Sequence, residues 1–138
     1  MISMEFVRAG RAVFTVANAM GEHYTFRVQA SKPSEKFPAV SYFVQVLTGP
    51  DNTSDYTYVG MLTGENRVKL TKASKYAGES KPVRVFEWAL RVVAGTSKLP
   101  AGYKLQHEGR CCRCGRVLTV PESIESGIGP ECAAKMGL

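Results

Sequence analysis

Cys111 and Cys114 stand two residues apart with Gly115 directly after them, and a further cysteine, Cys132, follows a spacer of seventeen residues. No other feature restricts the fold as much, because it asks two separated stretches of backbone to converge on one ion. Two intervening residues let both sulfurs turn to the same side, with the amides between them aimed at the thiolates. A glycine after the second sulfur lets the chain reverse through positive φ. This is the usual half of a tetrahedral zinc site.

The second half has to come from residues that are far along the chain or just upstream. Cys132 is preceded by Pro130, which marks a helix start and puts the cysteine in the first turn of a short helix ending near Gly137. A helix N-terminus there favours the thiolate, the form that binds metal. His107, four residues before Cys111, completes a Cys₃His set for Zn²⁺. Cys112 reads as a free thiol beside the knuckle whose replacement by serine is nearly silent, and it is the reserve ligand should His107 not bind. A disulfide from one of the first three cysteines to Cys132 is the competing pairing, which a reducing compartment disfavours. An iron–sulfur cluster normally takes four well-spaced cysteines, against three clear ones here. No histidine and carboxylate stand with one cysteine as a catalytic thiol requires, and the His107-Glu108 spacing is not the H-x-E of zinc deaminases. The chain therefore does not read as an enzyme. Between the halves, Pro121 and Glu122 open a helical turn, Ile124 is expected under the metal, and Gly127 and Gly129 make the return to Cys132.

The chain ahead of this motif reads as strands and one helix. Arg11–Ala17 and His23–Ala30 are rich in β-branched and aromatic residues. In the second, Tyr24, Phe26, Val28 and Ala30 alternate with polar neighbours, the period of a half-buried strand. Gly21 in the short link makes the pair a hairpin. Further strands are expected over about Ser41–Leu47, Tyr56–Leu62 and Arg67–Thr71, with a turn at Gly49-Pro50-Asp51-Asn52 held by Asp/Asn side chains. Pro82–Val93 is the best helix: proline suits its first turn, Phe86, Leu90 and Val93 line one side, and Arg84, Glu87 and Arg91 share the other. Trp88 reads as a core or edge residue. One helix on an antiparallel sheet of about five strands gives an α+β class, with a sheet-and-helix domain over residues 1–98 and a zinc-binding module over 99–138.

Charge is distributed unevenly. Residues 67–116 hold twelve Lys/Arg against three Asp/Glu, while the stretches on either side are slightly acidic. Lys98, Lys104, Arg110, Arg113 and Arg116 fall in or beside the knuckle, where a rigid loop would hold guanidinium groups at fixed spacing for phosphates. Nucleic acid is accordingly the first partner to expect, with Tyr24, Phe26, Tyr42, Tyr56 and Tyr58 as candidate stacking residues or core. A protein-binding inhibitor or adaptor acting on a host factor is the second. No small-molecule site is evident. No apolar run is long enough to span a bilayer, and Met1–Ala9, with Glu5 and Arg8, is unlike a signal peptide, so a cytoplasmic protein is expected.

The string GRCCRCGRVLTVPESIESGIGPECA, residues 109–133, resembles the C-terminal motif of a family of small, largely uncharacterised bacteriophage and bacterial proteins. Their shared pattern is GRC-x-x-CGR-x-LT-x-PESI-x-x-GIGPEC. The upstream HEG and the segment GPDNTSDYTYVG, residues 49–60, are similar to phage relatives as well. The resemblance implies a zinc-binding module in a phage or mobile-element protein, acting in the host cytoplasm, and brings no characterised activity with it. Where a small residue commonly follows the first cysteine of the pair, this chain has Cys112.

Overall fold

The computed structural model describes residues 2–51, 53–118 and 121–138. Asn52 of the expected turn, and Thr119 and Val120 of the spacer between the metal-binding halves, lie outside them. The fold is α+β, built on a six-stranded antiparallel sheet. A short helix α1 (Met4–Val7) leads into β1 (Arg11–Ala17), β2 (His23–Ala30), β3 (Tyr42–Leu47), β4 (Tyr56–Leu62) and β5 (Val68–Lys69). Helix α2 (Lys81–Val93) then carries the chain back to β6 (Lys104–His107), followed by α3 (Pro121–Ser126) and α4 (Pro130–Lys135). The strand order is β5-β4-β3-β2-β1-β6. Five strands thus form a meander, and the segment after residue 98 supplies the sixth, on the far side of β1.

Period-two alternation decides what each face of the sheet carries. Ala12, Phe14 and Val16 of β1 pair with Val28, Phe26 and Tyr24 of β2 and face the helices. Phe86 of α2 meets both Phe14 and Phe26, with ring centroids 6.1 and 5.2 Å apart. Burying such aromatic side chains is worth roughly 1.5–3 kcal/mol each, so this cluster holds α2 to the sheet. Of the aromatic residues considered for stacking, Phe26 lies wholly in the core, and Tyr24 and Tyr42 pack against it. Tyr56 and Tyr58 lie on the opposite face.

Glu87 departs from the solvated stripe expected on α2. It is buried, takes a hydrogen bond from Arg67 Nε at 2.8 Å and another from the Val68 N–H at 2.9 Å, and so ties β5 to α2. Arg84 and Arg91 are exposed as expected. Gly95, at φ +85°, ends the helix in a conformation that costs glycine little.

Two elements carry no clear sequence signal. In α1, Ser3 caps the helix by accepting from the Phe6 N–H at 3.2 Å, and Phe6 and Val7 are fully buried. In β6, four residues pair with β1 from Ala17↔Lys104 to Phe14↔His107. No helix among the described residues is long and apolar enough to cross a membrane.

Candidate metal centre

β6 delivers the chain directly into the knuckle. The loop closes on itself like a small hairpin: Leu118 N–H donates to Gly109 O at 2.9 Å, Cys111 N–H to Arg116 O at 2.8 Å and Gly115 N–H to Cys111 O at 3.0 Å. Gly115 has φ +80°, the reversal anticipated after the second cysteine. From the other side, α3 and the Gly127–Gly129 return bring α4 alongside, with Cys132 in its first turn.

Cys111, Cys114 and Cys132 come together, their sulfurs all within 4.8 Å of one another. Two thiolates on one tetrahedral zinc lie about 3.8 Å apart, given Zn–S distances of about 2.3 Å, so the trio is close to a coordinating arrangement. The donor set, three soft sulfurs, fits a thiophilic metal ion. Amides are also in place for the anionic form. Burial pushes the Cys111 thiol up, but the N–H groups of Cys114, Gly129 and Arg113 outweigh it and bring the group down to about 6. The Arg113 N–H lies 3.4 Å from Cys111 Sγ, and the Arg113 guanidinium reaches Cys132 Sγ at 3.7 Å. Cys132 does not gain the thiolate preference expected from its helix position. Burial raises it, and the Arg113 contact does not offset that together with proton sharing by Cys114 and Cys111. A metal ion held by the three sulfurs would supply the missing stabilisation.

His107 does not join the trio, nor does any other His, Cys, Asp or Glu among the described residues. Its pairing with Phe14 turns the ring onto the core face of the sheet, 6.0 Å from the ring of Phe6. Nδ1 accepts from the Gly109 N–H at 2.8 Å, and Nε2 meets the carbonyl of Ile124, so the ring proton sits on Nε2. Both nitrogens are engaged, Nε2 in joining β6 to α3 and Nδ1 in holding the start of the knuckle loop. Cys112, the reserve ligand, points into the core at 1% exposure. Its thiol is pushed up to about 12, first by burial and then by the neighbouring Cys111. Its backbone ties two other segments to the knuckle, for the carbonyl accepts from the Arg11 N–H at 2.7 Å and the N–H donates to Gly127 O at 2.9 Å.

The apolar support beneath the site also differs from expectation. Ile124 is 48% exposed, whereas Leu118 and Ile128 are buried. Hydrogen bonding between the α3 backbone and His107 accompanies the outward placement of Ile124, and Leu118 together with Ile128 of the return loop supplies the floor instead. Phe6, from the other end of the chain, carries no sequence signal that links it to this region; its burial behind Gly127 becomes evident only when α1 is placed.

The basic residues are less uniform than their spacing implies. Lys98, Lys104, Arg110, Arg113 and Arg116 are all exposed. Arg110 donates to Gly115 O at 3.2 Å, and Arg116 approaches Glu131 at 3.8 Å with both side chains largely in solvent. A shallow cleft of about 450 Å³ beside Cys114 and Cys132 is lined in part by Arg113, Arg116 and Lys135. Lys135 follows the spacer and so falls outside the basic block in sequence; the fold returns it to the knuckle.

Residues 106–137 match a family of unknown function (DUF6011). The match begins within β6, takes in all three clustered cysteines and covers about a quarter of the chain. No curated protein and no solved structure matches the chain.

Proposed function

We propose that this chain, whose knuckle matches a family without an assigned activity, is a zinc-stabilised, non-catalytic binding protein that holds nucleic acid on the basic surface around that knuckle. One observation carries the reading: the loop that brings three sulfurs within 4.8 Å also presents Arg110, Arg113 and Arg116 to solvent. Zinc suits three thiolates and fixes the loop, so the guanidinium groups keep their spacing without a large loss of side-chain freedom on binding. A structural role for the ion accords with the burial of Cys111 and Cys132, and thiolates of this kind suit a reducing cytoplasm.

The arginines differ in what they offer. Arg113 is turned partly toward Cys132, which makes it a support of the site as well as a charge. Among the described residues the Arg116 side chain has only an exposed bridge to Glu131, and such pairs are worth little, so a phosphate displaces the carboxylate at small cost. Lys104 and Lys98 extend the positive surface along β6 and the segment before it.

The test is a titration of the zinc-loaded chain with labelled single- and double-stranded DNA and RNA between about 50 and 200 mM salt. The logarithm of affinity should fall linearly with that of salt. Arg110→Gln with Arg116→Gln should reduce the slope by roughly 1.5 to 2. Absence of binding to every one of these nucleic acids at low salt refutes the proposal, and a stoichiometric, nuclease-resistant protein partner from host lysate would put a host-factor adaptor in its place.

A further inference from the structure

We infer that the uncovered face of the sheet is a stacking platform for single-stranded nucleic acid, continuous with the knuckle; this rests on the nucleic-acid reading above and says which form of nucleic acid is held and where. Among the described residues, all buried packing partners of the helices lie on one face of the sheet. The alternate residues of the same strands form the other face, and none of them is buried. Phe43 of β3 and Tyr56 and Tyr58 of β4 stand there half-buried, with the Phe43 and Tyr58 rings 6.3 Å apart.

This face already accepts a flat cation. The Arg27 guanidinium lies 4.0 Å from the centre of the Tyr56 ring and is held flat by Gln45 Oε1 at 2.5 Å and Thr53 O at 3.1 Å. A planar base can stack on the rings and on the guanidinium in the same way. The charge has the sign a phosphate backbone needs. Register places Arg11, Arg27, Lys69 and Lys104 on this face, and Glu108 is the carboxylate that acts on Arg27.

Arg11 joins the two surfaces. It opens β1 on the uncovered face, and its guanidinium lies 3.1 Å from where a Cβ on Gly115 would be. A strand lying across the rings therefore meets Arg11 and then the knuckle arginines, with Glu108 the acidic group that acts on Arg27 and Tyr56 along the way. A duplex gains little from this arrangement, because its bases are already stacked on one another and cannot reach the rings. Unpaired bases can.

The experiment uses the full zinc-loaded chain, a single-stranded oligonucleotide carrying 2-aminopurine, and the same oligonucleotide annealed to its complement. The single strand should bind at least about tenfold tighter than the duplex, with 2-aminopurine emission quenched on binding. Tyr58→Ser and Phe43→Ser should each weaken the single strand about tenfold and leave duplex binding unchanged. Tyr58→Phe should retain binding, and an unchanged Tm for the serine variants shows that the sheet is intact. Trp88 lies on the helix side of the sheet, so its emission should not respond. Wild-type affinity in the folded serine variants, or quenching of Trp88 alone, overturns the inference. If Arg110→Gln with Arg116→Gln still weakens binding in that case, the knuckle reading stands without it. Failure of every oligonucleotide to bind at low salt removes both.

Discussion

Gly127 faces Phe6 so closely that a Cβ added to the glycine would lie 2.5 Å from the phenyl Cε2. The two residues come from opposite ends of the chain, and their contact seats the return loop that carries Cys132 to the site.

Gly127→Ala should therefore be costly. The residue has φ +75°, which an L side chain rarely adopts, and the new methyl group meets a ring that is itself fully buried. Strain of about 1 kcal/mol and overpacking of about 1–3 kcal/mol combine to a loss of roughly 2–4 kcal/mol. Denaturant titration measures it directly. A change below about 0.5 kcal/mol would show that the ring moves aside freely.

Removing the ion, or one of its sulfurs, should loosen the C-terminal region. One zinc per chain is expected by elemental analysis. Chelation or Cys132→Ser should lower stability by at least about 3 kcal/mol, on the order of 10 °C in Tm. Identical melting with and without chelator contradicts a structural ion. Cys112→Ser is a different case from the nearly silent change its sequence context suggests. It keeps the metal content but puts a hydroxyl in the core, at about 1–3 kcal/mol, whereas Cys112→Ala should cost less than the serine variant.

Acid should act on the turn between β3 and β4. Asp51 accepts hydrogen bonds from the Thr53 hydroxyl at 2.7 Å, the Thr53 N–H at 2.8 Å and the Ser54 N–H at 3.2 Å. These hold its carboxyl down at about 2, against an ordinary value of 3.8. Below 3.8 the unfolded chain takes up this proton first, so the contribution is fully present above that pH and is lost as pH falls through about 2. The stability difference between wild type and Asp51→Asn should be constant above about pH 5 and shrink below about pH 4. A carboxyl titration by NMR with its midpoint near 4 would contradict this.

Much of the sheet is legible because its signals are local. The alternation in His23–Ala30 and the composition of Arg11–Ala17 place β1 and β2 at their observed ends, and Cys111, Cys114 and Cys132 declare themselves by spacing. What escapes is set by distant partners. KLQH in β6 has one apolar residue to alternate, and it becomes a strand because β1 has an edge to pair with. MEFV is too short for helical periodicity and is held by the burial of Phe6 and Val7. His107 has the right distance in sequence from Cys111, but strand pairing turns its ring away from the sulfurs. Glu87 looks solvated until β5 brings Arg67 and an amide to it.

The Arg11–Cys112 hydrogen bond gives the knuckle a second duty. β1 is shielded on its outer side by a strand of only four residues, and that strand runs straight into the metal loop. A chain stripped of its ion loses the anchor at that end, so β6 can peel back and leave the amides and carbonyls of β1 open to another polypeptide. Bare edges of this kind template intermolecular pairing. A bound ion would thereby also guard the protein against self-association, and chelation should then raise its apparent mass in size-exclusion chromatography.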